Sequence, residues 1–268
     1  MIEREERENM SNIISVANQK GGVGKTTTTM NLAVEPHNRG YRVLCVDLDH
    51  QANLSDYLGY EPDGRPTMTH LMQAAVQSQA ELALLLDGAI HTAEEGVSYI
   101  PADINLSTVE MLLAQAMFRE RVLHTILSNQ AMPEFDYILI DCLPSLGILL
   151  TNALIASDGL IIPVQAQKFA LDGMDGMMSL VNQVRTQANA GLEVCGLLVT
   201  MKDNTKMASY VDDELRNQFG DQVFRTEISK LAEATNSSAM QRSLVSMKSS
   251  RLGKQYKAVV DELLERGA

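Results

Sequence analysis

The chain has 268 residues, of which 45% are hydrophobic and 21% charged, with three cysteines, no tryptophan and a formal charge of -12. That length and composition describe a globular protein with a sizeable core and exclude a disordered chain, a collagen-like repeat or a disulfide scaffold. No window approaches roughly 18 uninterrupted apolar residues, and the charged opening MIEREERENM lacks the apolar stretch of a signal peptide, so neither membrane insertion nor secretion is expected and the chain is read as cytoplasmic.

Residues 1–10 carry six charges in their first eight positions and read as an N-terminal extension, with Met10 an alternative start; residues 11–268 read as a single domain. Short apolar, β-branched runs then alternate with helical patterns, the signature of parallel strands joined by crossover helices. Strands are expected at 13–17, 42–46, 97–100, 137–140, 159–164, 194–200 and 223–228. Helices are expected at 26–35, 67–86 with a break, 107–129, 148–156, 171–188, 208–218 and 254–266. The runs VLCV, YILI and LIIPV are apolar on both faces, as strands buried between two helix layers must be. The expected fold is α/β, a predominantly parallel twisted sheet with helices on both faces. Pro36 removes an N–H and crowds the preceding turn, so the first helix is expected to end or bend near Val34. Cys45, Cys142 and Cys195 lie in or beside apolar runs without ligand spacing and read as reduced, structural thiols.

After the first strand stands Asn18-Gln19-Lys20-Gly21-Gly22-Val23-Gly24-Lys25-Thr26-Thr27, running into a helix. Glycines let backbone N–H groups converge on phosphate oxygens, and the helix N-terminus adds positive potential. Lys25 reaches the β and γ phosphates, and Thr26 supplies a hydroxyl to Mg²⁺. Residues Lys20 to Thr27 are therefore the candidate ATP-binding set. The ordinary G-x-x-x-x-G-K-[ST] pattern fails, because Gln19 stands where its first glycine belongs, and K-G-G-V-G-K-T carries an extra lysine, Lys20, at the loop entrance.

This deviant Walker A motif resembles that of the ParA/MinD group of P-loop ATPases, and the resemblance extends over nearly the whole chain from Ile13. It implies that Lys25 serves its own nucleotide while Lys20 reaches phosphates held by a partner subunit, so that catalysis needs a dimer with ATP sandwiched between two copies. A second cation at developing phosphate charge suits a reaction that relies on positioning and electrostatics.

Two carboxylates follow two apolar strands. In VLCVDLDHQANLSDYLG, Asp47 and Asp49 resemble the group's D-x-D-P-Q-x-N segment, which implies that Asp47 orients the attacking water and helps the Mg²⁺ shell; His50 replaces the usual proline and reads as a loop change. Asp141 ends YILID, in the position of a Walker B aspartate that holds Mg²⁺ through water, with Leu143 where the group has proline. Thr26, Asp47 and Asp141 are the candidate metal residues, and Lys20, Lys25 and Asp47 the candidate catalytic ones.

The segments PVQAQKFALDG and GLLVTMKDNT resemble small ParA/Soj proteins more than other branches, and with ten residues before the first strand a separate DNA-reading module is not expected. Residues 1–200 carry 11 Lys+Arg against 24 Asp+Glu, residues 201–268 carry 11 against 10. Lys230, Arg242, Lys248, Arg251, Lys254 and Lys257 form the densest positive part, as phosphate contacts to DNA require. Against this, the group's I-P-R-N-V-R-L-A-E-A-P stretch is poorly kept, with Lys230 and Glu233 where arginines are expected. The resemblance implies an ATP-dependent DNA-partitioning ATPase: slow, homodimeric on ATP, holding non-specific double-stranded DNA and the nucleoid, and stimulated by a ParB-like partner. Alternatives are a membrane-cycling MinD-like ATPase, disfavoured by the mixed-charge ending YKAVVDELLERGA, an iron–sulfur carrier, disfavoured by the lack of a Cys-x-x-Cys pair, and a nucleotide-dependent regulatory scaffold.

Overall fold

The computed structural model describes residues 11–167 and 173–267. The proposed extension at 1–10 and part of the 163–173 segment lie outside the described residues. Seven strands form one sheet in the order β3-β4-β2-β5-β1-β6-β7: β1 Asn12–Val16, β2 Val43–Leu48, β3 His91–Thr92, β4 Ser98–Ile100, β5 Tyr137–Cys142, β6 Gly159–Gln165 and β7 Glu193–Thr200. All pairings are parallel except the short β3 to β4.

Side chains alternate between two apolar layers with the period of two that a pleated strand imposes. Leu44, Val46 and Leu48 of β2, Ile138 and Ile140 of β5, and Leu160 and Ile162 of β6 enter one core. Val43, Cys45, Leu139 and Ile161 enter the other. The first layer is covered by α3 (Met68–Gln77), α4 (Gln79–Ala89), α5 (Leu106–Gln115), α6 (Val122–Leu127), α7 (Ile148–Ala156), α8 (Met174–Gln187) and α9 (Lys206–Phe219). The second is covered by α1 (Lys25–Asn38), α2 (Asn53–Tyr57) and α11 (Arg251–Glu265), with α10 (Glu233–Ala239) beside them. Cys45 and Cys142 are buried and all three cysteines are free, with burial pushing each thiol up.

Three expectations are corrected. Helix α1 does not stop near Val34 but runs to Asn38 with Pro36 inside it. The proline falls in the last turn, its carbonyl accepts from Arg39 and Tyr41 N–H, and the buried run Leu32 to Pro36 keeps the segment helical. Residues 107–129 are not one helix. Asn152 of α7, fully buried, donates to Arg119 O at 2.8 Å and accepts from Leu123 N at 3.0 Å, and this capture breaks the chain into α5, a 3₁₀ turn at Arg119–Arg121 and α6. Residues 223–228 form no strand: only isolated bridges join Val223 to Leu197 and Ser229 to Lys202. Between them the Arg225 and Thr226 N–H groups leave the sheet edge for the Glu262 carboxylate, at 2.8 and 3.2 Å. The expected break within 67–86 falls at Ser78, whose hydroxyl accepts from Glu81 N at the start of α4.

Candidate active site at the carboxyl ends of the strands

The strand order sets β2, β5 and β1 side by side, so the segments that leave their carboxyl ends meet in one place, where open α/β sheets bind ligands. Asn18, just beyond β1, donates to Pro163 O of β6 at 2.8 Å and accepts from Lys20 N at 2.9 Å, pinning the loop entrance. Gln19 lies against Gly173, where a Cβ would fall 2.7 Å from its Nε2. Gly22 and Gly24 have φ of +70° and +85°, in the left-handed region that favours glycine. Thr200 of β7 donates to Val23 O at 2.8 Å. No side chain caps the first turn of α1, which leaves its N–H groups to an anion.

Lys25 is buried, with Nζ 3.4 Å from Lys20 O. Burial draws its pKa below the ordinary lysine value, and Asp141 opposes that. Lys20 is half-exposed.

Asp141 of β5 stands in register with Asp47 of β2 on one side and Val16 of β1 on the other. It is 1% exposed and accepts from Thr26 Oγ1 at 2.7 Å and Thr29 Oγ1 at 3.2 Å. Asp47, also 1% exposed, accepts through Oδ2 from Ser55 N at 2.8 Å and Ser55 Oγ at 2.7 Å, and through Oδ1 from Asp49 N at 3.1 Å. Burial raises both carboxyl groups above the usual range, and each feels a neighbouring carboxylate, Asp47 on Asp141 and Asp49 on Asp47. Two adjoining buried carboxylates against one buried lysine leave negative charge uncompensated, which a bound cation relieves.

The donor set fits Mg²⁺: hard oxygens from Thr26 and Asp141 meet at the loop. Among the described residues no three His, Cys, Asp or Glu side chains gather to hold a metal, in keeping with an ion that takes one or two protein ligands and fills its shell with water and phosphate. Asp47 lies beside this pair with its bonds committed to α2 and Asp49. His50, half-exposed, stands 3.9 Å from Asp49.

A cavity of about 470 Å³ opens beside the loop, lined by Gly24 and Thr27 on one side and by Met201, Ile228, Lys230, Leu231 and Tyr256 on the other. The sequence patterns do not reveal it, because its walls come from four separate segments. They also leave unremarked Ser55, Thr29, Asn18 and Thr200, although all four lie inside or beside the motif segments.

The C-terminal cations divide. Lys230 lines the cavity. Lys257 pairs with the buried Glu35 of α1 at 3.4 Å. Arg242, Lys248, Arg251 and Lys254 are exposed and form no ion pair among the described residues. Glu233, which stands where the group's arginine is expected, faces the start of α11: its carboxylate accepts from Ser250 Oγ at 2.5 Å and from Arg251 and Leu252 N–H at 3.4 Å. The Ser237–Arg242 turn docks on α2, with Gln241 Nε2 donating to Asp56 O at 2.8 Å and Ser237 bonded to Tyr57.

A glycine-shaped loop between β1 and α1, with Lys25 and Thr26 at its end and Asp141 in register beside it, defines a P-loop nucleotide triphosphatase of the deviant two-lysine type. The family described as an AAA domain matches residues 11–194. The chromosome partitioning protein ParA of Caulobacter vibrioides is 37% identical over 79% of this chain and 78% of its own. The sporulation initiation inhibitor protein Soj of Bacillus subtilis is 38% identical over 82% and 84%, and the chromosome-partitioning ATPase Soj of Thermus thermophilus 40% over 82% and 83%. The chain belongs to the ParA/Soj family of P-loop ATPases, whose substrate is ATP with Mg²⁺. Among solved structures, the cobyrinic acid a,c-diamide synthase of Mycobacterium smegmatis with bound ADP and magnesium is 29% identical with a TM-score of 0.79, covering 96% of both chains. An ATP complex of McdA from Cyanothece, 22% identical, shares the fold at a TM-score of 0.83 over 96% of this chain and 97% of its own.

Proposed function

We propose that this chain is a DNA-partitioning ATPase. It binds ATP in the loop from Lys20 to Thr27, pairs with a second copy across the nucleotide, holds double-stranded DNA without sequence preference on the nucleoid, and hydrolyses ATP slowly until a ParB-like partner stimulates it. The observation that carries the reading is the meeting of Lys25, Thr26 and Asp141 at the loop with Asp47 in register beside them. Relatives named as partitioning proteins support it.

In this reading Lys25 and the uncapped N–H groups of α1 hold the triphosphate, and Thr26 and Asp141 hold Mg²⁺, which neutralises phosphate charge when bound. The Thr26 hydroxyl, which donates to Asp141 at 2.7 Å in this structure, would supply an oxygen ligand to the ion. Asp47, fixed beside them, orients the attacking water and accepts its proton. Lys20, at the half-exposed loop entrance, serves the phosphates of the paired copy. Lys230, Arg242, Lys248, Arg251 and Lys254 supply the phosphate contacts to DNA, Lys230 from the rim of the cavity beside the loop.

The membrane-cycling alternative loses support from the packing of α11: Leu252, Tyr256, Val259, Val260 and Leu263 are all buried in the core, so no apolar face is left for a bilayer. No helix among the described residues is long and apolar enough to cross a membrane. The test is retention of a random-sequence duplex with ATP, with ADP and without nucleotide. Retention with ATP that falls away with ADP is expected; equal retention in all three refutes the switch.

A further inference from the structure

A carboxylate has about four acceptor positions, two on each oxygen. On Asp47 three are taken: Ser55 N and Ser55 Oγ fill Oδ2, and Asp49 N fills one side of Oδ1. The Ser55 hydroxyl has one proton and is itself an acceptor for Ala102 N at 2.9 Å. Because the Ala102 N–H occupies its lone-pair side, the proton has one outlet, the Asp47 carboxylate. Ser55 is 0% exposed, so no solvent molecule stands ready to replace it. The clamp joins the end of β2 to helix α2, eight residues further on, and both to the segment following β4, 47 residues beyond Ser55.

We infer that Ser55 is the positioning residue for Asp47. It holds Oδ2 against rotation about the side-chain bond and leaves a single acceptor position, on Oδ1, to receive the attacking water. Ser55 bonds to Asp47 and to neither Thr26 nor Asp141, so it acts through Asp47. The inference rests on the reading that Asp47 orients the water. It assigns to α2 a second task, because the same helix carries Asp56 and Tyr57, which hold the Ser237–Arg242 turn.

Ser55→Ala, Ser55→Thr and Asp47→Ala are compared in the full chain, with thermal melts verifying folding. Three quantities are read: steady-state kcat and KM for ATP, the Kd of a non-hydrolysable ATP analogue, and, without nucleotide, the ¹³C carboxyl resonance of Asp47 assigned by its loss in Asp47→Ala. Ser55→Ala is expected to lower kcat about ten-fold, the scale of a misplaced reacting group, with KM and analogue Kd within about two-fold and the Asp47 resonance displaced. Ser55→Thr, which keeps the hydroxyl, is expected to recover both rate and resonance. Unchanged kcat in Ser55→Ala beside an inactive Asp47→Ala overturns the inference, as does a fall in kcat matched by a rise in KM and analogue Kd. Normal hydrolysis in Asp47→Ala overturns instead the role of Asp47, so the two failures are distinguishable.

Discussion

Glu233 replaces an arginine that the family pattern leads one to expect, and restoring it is a test of what that position does here. The Ser250 hydroxyl caps α11 by accepting from Gly253 N at 2.8 Å while donating to Glu233 at 2.5 Å. The carboxylate also faces the Arg251 and Leu252 N–H groups at 3.4 Å. Losing one charge-assisted hydrogen bond at a half-buried site costs about 1.5 kcal/mol. Exchanging a favourable charge at a helix N-terminus for an unfavourable one adds about 1 kcal/mol. Glu233→Arg should therefore destabilise by about 2.5 kcal/mol, and Glu233→Gln by about 1 kcal/mol. For a domain of this size that is a fall in Tm of about 5–10 °C for the arginine and about 2–4 °C for the glutamine. Melts by circular dichroism without nucleotide measure this, and DNA retention with ATP measured in parallel should rise for Glu233→Arg as a cation joins Arg242, Lys248 and Arg251. A Tm for Glu233→Arg within a degree of the parent would refute the capping argument.

Three further outcomes follow from the site and its surroundings. Lys20→Ala should retain nucleotide binding but lose cooperative dimerisation or turnover, read by analogue binding and by size-exclusion chromatography with ATP; normal ATPase activity would remove the role across the dimer. Replacing Arg242, Lys248 and Arg251 together by alanine should weaken DNA retention and reduce the slope of log K against log salt by up to about 0.9 for each phosphate that is no longer neutralised, and an unchanged slope would remove the patch. Glu262 is buried, which works to raise its pKa, but the Arg225 and Thr226 N–H groups and Arg266 outweigh that and hold it below the ordinary 4.5. A depressed carboxyl pKa stabilises above the unfolded value, and that contribution is lost as pH falls through the folded one. Glu262→Gln should accordingly destabilise by about 1–3 kcal/mol at neutral pH, with the difference from the parent closing below pH 4.5; a constant difference across a pH series of melts would contradict the assignment.

The phosphate site is readable in one dimension because its chemistry is local. A strand, a loop of glycines with positive φ, and a helix N-terminus are consecutive, so Lys20 to Thr27 need no partner from elsewhere to be recognised. The buried strands are readable for a similar reason: β2, β5 and β6 are apolar on both faces, and only a sheet covered on both sides makes use of that. Asp47 and Asp141 can be placed at strand ends, but their pairing in register depends on β2 lying next to β5, which the strand order alone decides.

The remaining features join distant segments, and no local pattern encodes them. Asn152 breaks the 107–129 helix through bonds to residues 33 and 29 positions away in sequence, and Glu262 draws the 225–226 backbone off the sheet across 37 and 36 residues. Pro36 stays helical because the packing of α1 offsets one missing backbone bond. Lys230 lines the cavity beside the loop and Glu233 faces the start of a helix, although both lie in the stretch that composition alone marks as part of a positive tail. Sequence determined the chemistry that the loop and strand ends can perform, since it sits on contiguous or strand-terminal residues. Tertiary structure decided which carboxylate oxygen stays open, which cations stay unpaired among the described residues and where the C-terminal helix spends its apolar face, because each of these depends on what a folded neighbour has already taken.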